Sequence, residues 1–387
     1  MNWLQDRIHA VLKGAAVGDA IGGAIEGWSP EQIHERHGGP VTGIVGPFHE
    51  NWKTARPIAP YYKGDGHITD DTLMTHALVE VYAQAGRHLD AYDIATYLVP
   101  KMMNEIRWIP EFDAEGTLLQ RVFLAEKWIV AKLHYAHQDP REAGVGNIVN
   151  CGAAMYMAPV GVVNAGNARA AYLEGIDLAG THQWSYGREA AGIFAASVAA
   201  GLRPGATAAS IYDECVALAH DGTRAALVAL RDVVEQARVD GVIEDQWELN
   251  KRLREAIKPY DTVGDTYREP AMDARRASRT KSIEELPVAL ALVLAHDGDF
   301  EKSVLGATNY GRDADSIATM AGSVCAAMGG MDVIPPQWIE TVETASKIDV
   351  GAVADVLVDV TTKILTDDAQ RTRAELDVAT SLLSELA

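Results

Sequence analysis

Two acidic runs, each leading into apolar residues at helical spacing, constrain this chain more than any other feature. Ile68-Thr69-Asp70-Asp71-Thr72 precedes Leu73, Met74, Ala77, Leu78 and Val81. Asn309-Tyr310-Gly311-Arg312-Asp313-Ala314-Asp315-Ser316 precedes Ile317, Met320, Ala321, Val324, Ala327 and Met328. Apolar residues in this register read as amphipathic helices that open on the acidic runs. A lone Asp at a helix start is ordinary, because free N–H groups and the helix dipole favour negative charge there. Four carboxylates with interleaved hydroxyls at two such starts have two readings. Either they are plain helix caps, or the starts meet and form a hard-oxygen cage of the kind that takes Mg²⁺ or Mn²⁺.

Helical periodicity dominates the rest of the chain. Leu4, Ile8, Val11, Leu12 and Ala15 line one face of an opening helix, and the spacing of Gly14, Gly18 and Gly22 predicts close approach of another backbone. Further helices are expected at about 70–85, 91–106, 117–134, 167–178, 186–201, 207–220, 223–238, 245–257, 284–296, 300–309, 314–328, 336–345, 350–365 and 370–386. Strand-like alternation is sparse, with Val41 to Val45 the best candidate. Residues 37–67 are broken by Gly38-Gly39-Pro40, Gly46-Pro47, Pro57, Pro60 and Gly64-Asp65-Gly66. An irregular stretch of that length that runs straight into an acidic helix start reads as functional. No Gly/Ser or Pro/Gln tract divides the chain, so the expectation is one large all-α domain over 1–387 with a polar loop insertion at about 258–283. That loop carries Arg275, Arg276, Arg279 and Lys281, either a solvated basic face or a flap over an anionic ligand.

The formal charge is −20, from 54 acidic against 34 basic residues, which argues against a track for nucleic-acid backbone. Cys151, Cys215 and Cys325 are widely spaced and form neither a disulfide framework nor a zinc motif. The opening Met-Asn-Trp-Leu-Gln-Asp-Arg has no basic region followed by an apolar run, and Ala190 to Leu202 is too short to span a bilayer. A soluble cytoplasmic protein that binds neither membrane nor nucleic acid is expected.

Three blocks in order, Gly14 to Glu26, Ile68 to Thr72 and Gly311 to Ser316, together resemble the ADP-ribosylglycohydrolase family. The resemblance implies an all-α domain with two divalent ions, Mg²⁺ or Mn²⁺, in a central cleft. It also implies hydrolysis at the anomeric carbon of ADP-ribose. On that pattern Thr69, Asp70 and Asp71 match the first ligand group, and Asp313, Asp315 and Ser316 match the second, with Ser where Thr is usual. Glu26 matches the glutamate beside the metals, and Asp19 is expected as a capping or supporting acid. The proton acceptor is expected among Asp313, Glu26 and Asp71.

The ligand-binding blocks match less closely. Asn150-Cys151-Gly152 stands where the family has Gly-Asn-Gly, and Tyr156 stands where Arg is frequent. Asn150 and Gly152 are expected to contact the substrate through a loop of backbone N–H groups. His182 follows Thr181 in a pair that the family places beside ribose and phosphates. Arg312 replaces the second Gly of a Gly-Gly-Asp turn, and its guanidinium either salts to a helix-start Asp or faces the substrate. The leading reading is a glycohydrolase acting on an ADP-ribosylated protein or a small ribosyl-containing molecule. One alternative is hydrolysis of another riboside or small glycoside lacking the diphosphate. A second is a non-catalytic relative that binds a ligand or serves structurally. The residues leave the oligomeric state open.

Overall fold

The computed structural model describes residues 1–47, 62–261 and 282–384. The basic patch at Arg275 to Lys281, together with Trp52 and Tyr61, lies outside them. Among the described residues, the helices that frame the centre of the molecule include α1 (Trp3–Gly23), α2 (Pro30–His37), α3 (Asp70–Ala85), α4 (Ala168–Ala179), α5 (Ser185–Gly201), α6 (Glu285–Ala295), α7 (Phe300–Tyr310), α8 (Ala314–Gly329) and α9 (Val350–Ser384). Shorter or peripheral helices surround them, among them Ala158–Val163, Asp221–Val239 and Gln246–Ile257. The all-α expectation holds; one large hydrophobic cluster runs through the helices, and a small second one joins Ala24, Ile25, Ile33, Val41 and Ala314.

Two helices sit at the centre. α1 is buried almost continuously from Ile8 to Gly23, and α8 from Ala314 to Ala327. Helices that are apolar on every side belong inside, packed against other helices. They pack against each other along most of their length, and the predicted glycine seam is why they can. A Cβ on Gly18 would fall on the carbonyl of Ala318, and one on Gly14 would lie 2.7 Å from the Gly322 oxygen. α6 and α7 pack on α8, while the first half of α9 packs on α1 and α3.

Several expectations need correction. Val41 to Val45 is not a strand; the Asn309 side chain serves as its partner. Val41 N–H donates to Asn309 Oδ1 (2.7 Å), and Asn309 Nδ2 donates to Val41 O (2.8 Å). The two described strands lie elsewhere, β1 (Ile106–Ile109) paired antiparallel with β2 (Ala114–Thr117), between the helices expected at 91–106 and 117–134 and overlapping each by one residue. The helices expected at 350–365 and 370–386 are one, α9, buried as far as Ile364 and fully exposed beyond Asp368. No helix among the described residues is long and apolar enough to cross a membrane.

Candidate metal centre

Three segments that are distant in sequence converge on one buried site. The end of α1 wedges between the starts of α3 and α8. A Cβ on Gly22 would strike Ala314 O and lie 2.6 Å from Asp315 N, and one on Gly23 would lie 2.8 Å from Thr69 Cγ2. Only glycine lets the two acidic starts come this close to α1. Asp19, one turn earlier, caps α3 from outside: its Oδ2 accepts from Thr69 N–H (2.9 Å), Thr72 N–H (3.1 Å) and the Thr72 hydroxyl. Thr69 supplies no side-chain cap of its own. A carboxylate at a helix N-terminus suits both the free N–H groups and the dipole.

The carboxylates fall into linked trios whose ligand atoms lie within 4.8 Å of one another. Asp19, Asp71 and Asp315 form one, and Glu26, Asp313 and Asp315 form a second. A third joins Cys151 Sγ, Glu285 and Asp313. Every member is buried. Burial and the neighbouring Asp315 charge push the Asp19 carboxyl up to about 7. The Asp71 carboxyl is pushed well above its usual range by burial, then by Asp315, Asp19, Asp70 and Asp313. Carboxylates this close and this dry must either protonate or share a cation. Asp19 Oδ1 and Asp71 Oδ1 are buried without a hydrogen-bond partner. Orphaned acceptors that face like charges are what a divalent ion would satisfy, so the residues present fit one.

The remaining expected ligands lie around these trios. Thr69 Oγ1 donates to Asp71 Oδ2 (3.4 Å), and Ser316 N–H donates to Asp315 Oδ1 (3.2 Å). Asp70 stands apart: Arg121 donates to its Oδ1 (2.9 Å) while also pairing with the buried Glu111. Asn150 and Gly152 flank Cys151, whose thiol donates to Asp313 Oδ2 (2.9 Å) and lies 3.4 Å from Ser316 Oγ. The loop therefore does meet the second acidic start. Burial, then Asp313 and Glu285, raise the Cys151 thiol well above its ordinary value. Asn150 Oδ1 accepts from Gly152 N–H (3.0 Å) and Gln183 Nε2 (2.7 Å).

His182 is fully buried behind that loop, stacked on Tyr156 with 3.2 Å between Nδ1 and the phenol oxygen, and its Nε2 lies 3.4 Å from Glu126 Oε1. Arg312 adopts a left-handed backbone (φ 59°), the conformation that a glycine turn would supply. Its Nε donates to Glu284, which also accepts from Tyr310 Oη (3.1 Å) and pairs with Arg254 (3.1 Å). The pairing observed is thus with a residue that the sequence reading did not single out.

Three further groups escaped that reading. The Lys63 ammonium pairs with Glu26 and lies 3.3 Å from Asp315 Oδ2. Arg121 and Glu111 hold Asp70. Glu284 and Glu285 bound a third acidic helix start ahead of the apolar Leu286 to Ala295, the same signal that revealed the first two.

Known proteins of similar sequence and fold place the chain in a family. A family model described as ADP-ribosylglycohydrolase matches residues 2–370. An ADP-ribosylarginine hydrolase, Tri1, of Pseudomonas putida is 25% identical over 353 residues, covering 89% of this chain and 76% of the relative. A protein of Archaeoglobus fulgidus is 27% identical over 342 residues (87% and 92%), and YegU of Escherichia coli is 23% identical over 354 (91% and 96%). Among solved structures, an ADP-ribosylglycohydrolase-related protein complex shares the fold, with TM-score 0.53 and 23% identity over 93% of this chain and 100% of that one. With the matched model spanning α1 and both acidic helix starts, the chain belongs to the ADP-ribosylglycohydrolase family.

Proposed function

We propose that this chain hydrolyses the N- or O-glycosidic bond at the anomeric carbon of ADP-ribose, in an ADP-ribosylated protein or small molecule, with two divalent ions, Mg²⁺ or Mn²⁺. The observation that carries the reading is the set of linked buried trios with orphaned oxygens on Asp19 and Asp71. Asp71, Asp313, Asp315 and Glu26 would hold the ions, with Thr69, Ser316 and Asp70 completing an oxygen donor set suited to hard cations. When bound, the ions supply Lewis-acid polarisation and lower the pKa of water in the site. Departure of the leaving group builds positive charge on the ribose ring, which the surrounding carboxylates stabilise. One of Glu26, Asp71 and Asp313 accepts the proton of the attacking water. Asn150 and Gly152 contact the substrate, and the buried His182 and Arg312 act by positioning, the first through the Asn150–Gly152 loop and the second through Glu284.

A second reading, cleavage of a riboside without a diphosphate, has one observation in its favour. Tyr156 is buried against His182, at the position where the family often has an arginine. The test is incubation of purified protein with ADP-ribosyl-arginine, ADP-ribosyl-serine, O-acetyl-ADP-ribose and a simple nucleoside, each with EDTA, Mg²⁺ or Mn²⁺. Metal-dependent release of ADP-ribose supports the first reading. Turnover of the nucleoside alone supports the second, and no turnover with metal bound refutes both. The arginine linkage comes first in the panel because one relative is an ADP-ribosylarginine hydrolase.

A further inference from the structure

We propose that Lys63 competes with one of the two divalent ions for the same carboxylate oxygens, so that the two positions load unequally and in a fixed order. The inference rests on the dinuclear reading above and adds to it a residue that the ligand pattern does not contain. The Lys63 side chain is 10% exposed, and its ammonium sits between two carboxylates, Glu26 and Asp315, that are each 3% exposed. A buried ammonium with two carboxylate partners already supplies positive charge on that side of the cluster. Among the described residues no cation pairs with Asp19 or Asp71 on the other side, where Asp19 Oδ1 and Asp71 Oδ1 are buried and unpartnered. Asp315 belongs to both trios and separates the two halves.

A divalent ion beside Asp19 Oδ1 and Asp71 Oδ1 meets two carboxylate oxygens that no described donor holds. One beside Glu26 and Asp313 needs the oxygens that Lys63 holds, and an ammonium and a dication cannot share them in a dry site without strong repulsion. The first ion therefore enters on the Asp71 side, and the second enters only as Lys63 leaves.

The backbone gives the lysine its own mount, separate from the helices that carry the ligands. Tyr62 N–H donates to Glu111 O (2.9 Å), Asp65 N–H donates to Val45 O (2.8 Å), and Gly64 packs on Pro47 where no Cβ would fit. Lys63 can thus withdraw without moving α1, α3 or α8.

The test is Mn²⁺ binding to the EDTA-stripped full chain, read by electron paramagnetic resonance of free Mn²⁺, with circular dichroism melts run alongside. Wild-type protein is expected to bind one ion tightly and a second at least about tenfold more weakly. Lys63→Met and Lys63→Gln should each bind two ions with affinities that converge, while Lys63→Arg should retain the inequality. Two equal sites in the wild type overturn the proposal whether or not the variants fold, and so does an inequality that survives Lys63→Met. Both of those results leave the dinuclear reading standing. Failure of every protein to bind Mn²⁺ overturns that reading, and the proposal with it.

Discussion

Replacing Gly18 by Ala should destabilise the protein, although alanine is the better helix former. In an exposed helix the exchange would gain about 1 kcal/mol. Here the new Cβ would fall on the Ala318 carbonyl, 2.5 Å from its carbon and 2.8 Å from Thr319 N. Backbone atoms of a buried helix cannot rotate aside as a side chain would. Ordinary carbon contacts are about 3.5–4 Å, so α1 and α8 must part by about 1 Å at this layer. A gap of that size forfeits a quarter to a half of the dispersion well for each contact it opens. Overpacking of well-filled cores costs about 1–3 kcal/mol, and this case belongs at or beyond the upper end. After the propensity gain, a net loss of about 2–3 kcal/mol is expected. Gly14→Ala should cost less, because its nearest obstacles are the Gly322 oxygen at 2.7 Å and the Ala326 Cβ at 2.8 Å. Urea denaturation in EDTA, followed by circular dichroism, measures both without a contribution from bound metal. A Gly18→Ala midpoint at or above the wild-type value, or a larger loss for Gly14→Ala, would refute the account of the seam.

Other perturbations separate the roles of the remaining residues. Asp315→Asn removes the carboxylate shared by two trios; metal-dependent turnover should fall by more than about 100-fold, while the EDTA-treated variant should melt no lower than wild type. Arg312→Gly relieves the left-handed backbone but weakens the support of Glu284, so a net loss of about 1–3 kcal/mol is expected in urea, with partial recovery in Arg312→Lys. An undiminished midpoint combined with altered substrate preference would instead place the guanidinium against the substrate. His88 is raised from 6.5 to about 9 by its bond to Glu174 and then by Asp368 on α9. A raised folded pKa means that the stabilisation is complete below about pH 6.5 and fades as pH rises through about 9. After allowance for solvent screening it amounts to about 1 kcal/mol. Thermal melts of wild type and Asp368→Asn across that window should converge at the alkaline end.

The sequence showed the helices clearly where an apolar face had to be buried. α3, α7 and α8 lie within a residue or two of their expected bounds because each couples strong periodicity to an acidic or polar start. α2 was missed although Ser29-Pro30 with Gln32, and Gly38 at its end, make a legible start and stop; its single buried residue, Ile33, gave no periodicity to read. Val41 to Val45 looked like a strand from its alternation, but Val41 pairs with an amide side chain 268 positions away and Val45 with the Asp65 N–H, and local pattern cannot show this. The site divides in the same way. The carboxylates were visible because they cluster locally, and the convergence of Asp19, Asp71 and Asp315 agrees with the order of the three blocks. Lys63 and Arg121 were not, since a single cation acquires meaning only when tertiary packing places it among acids.

The proposed activity requires that the linked trios form a divalent-cation site. It is tested most directly by crystals grown with Mn²⁺ and measured on both sides of the manganese absorption edge. Anomalous density among the side chains of Asp71, Asp313 and Asp315, strongest on the Asp71 side, is the predicted result. Well-ordered density for these residues with no anomalous peak between them would contradict it.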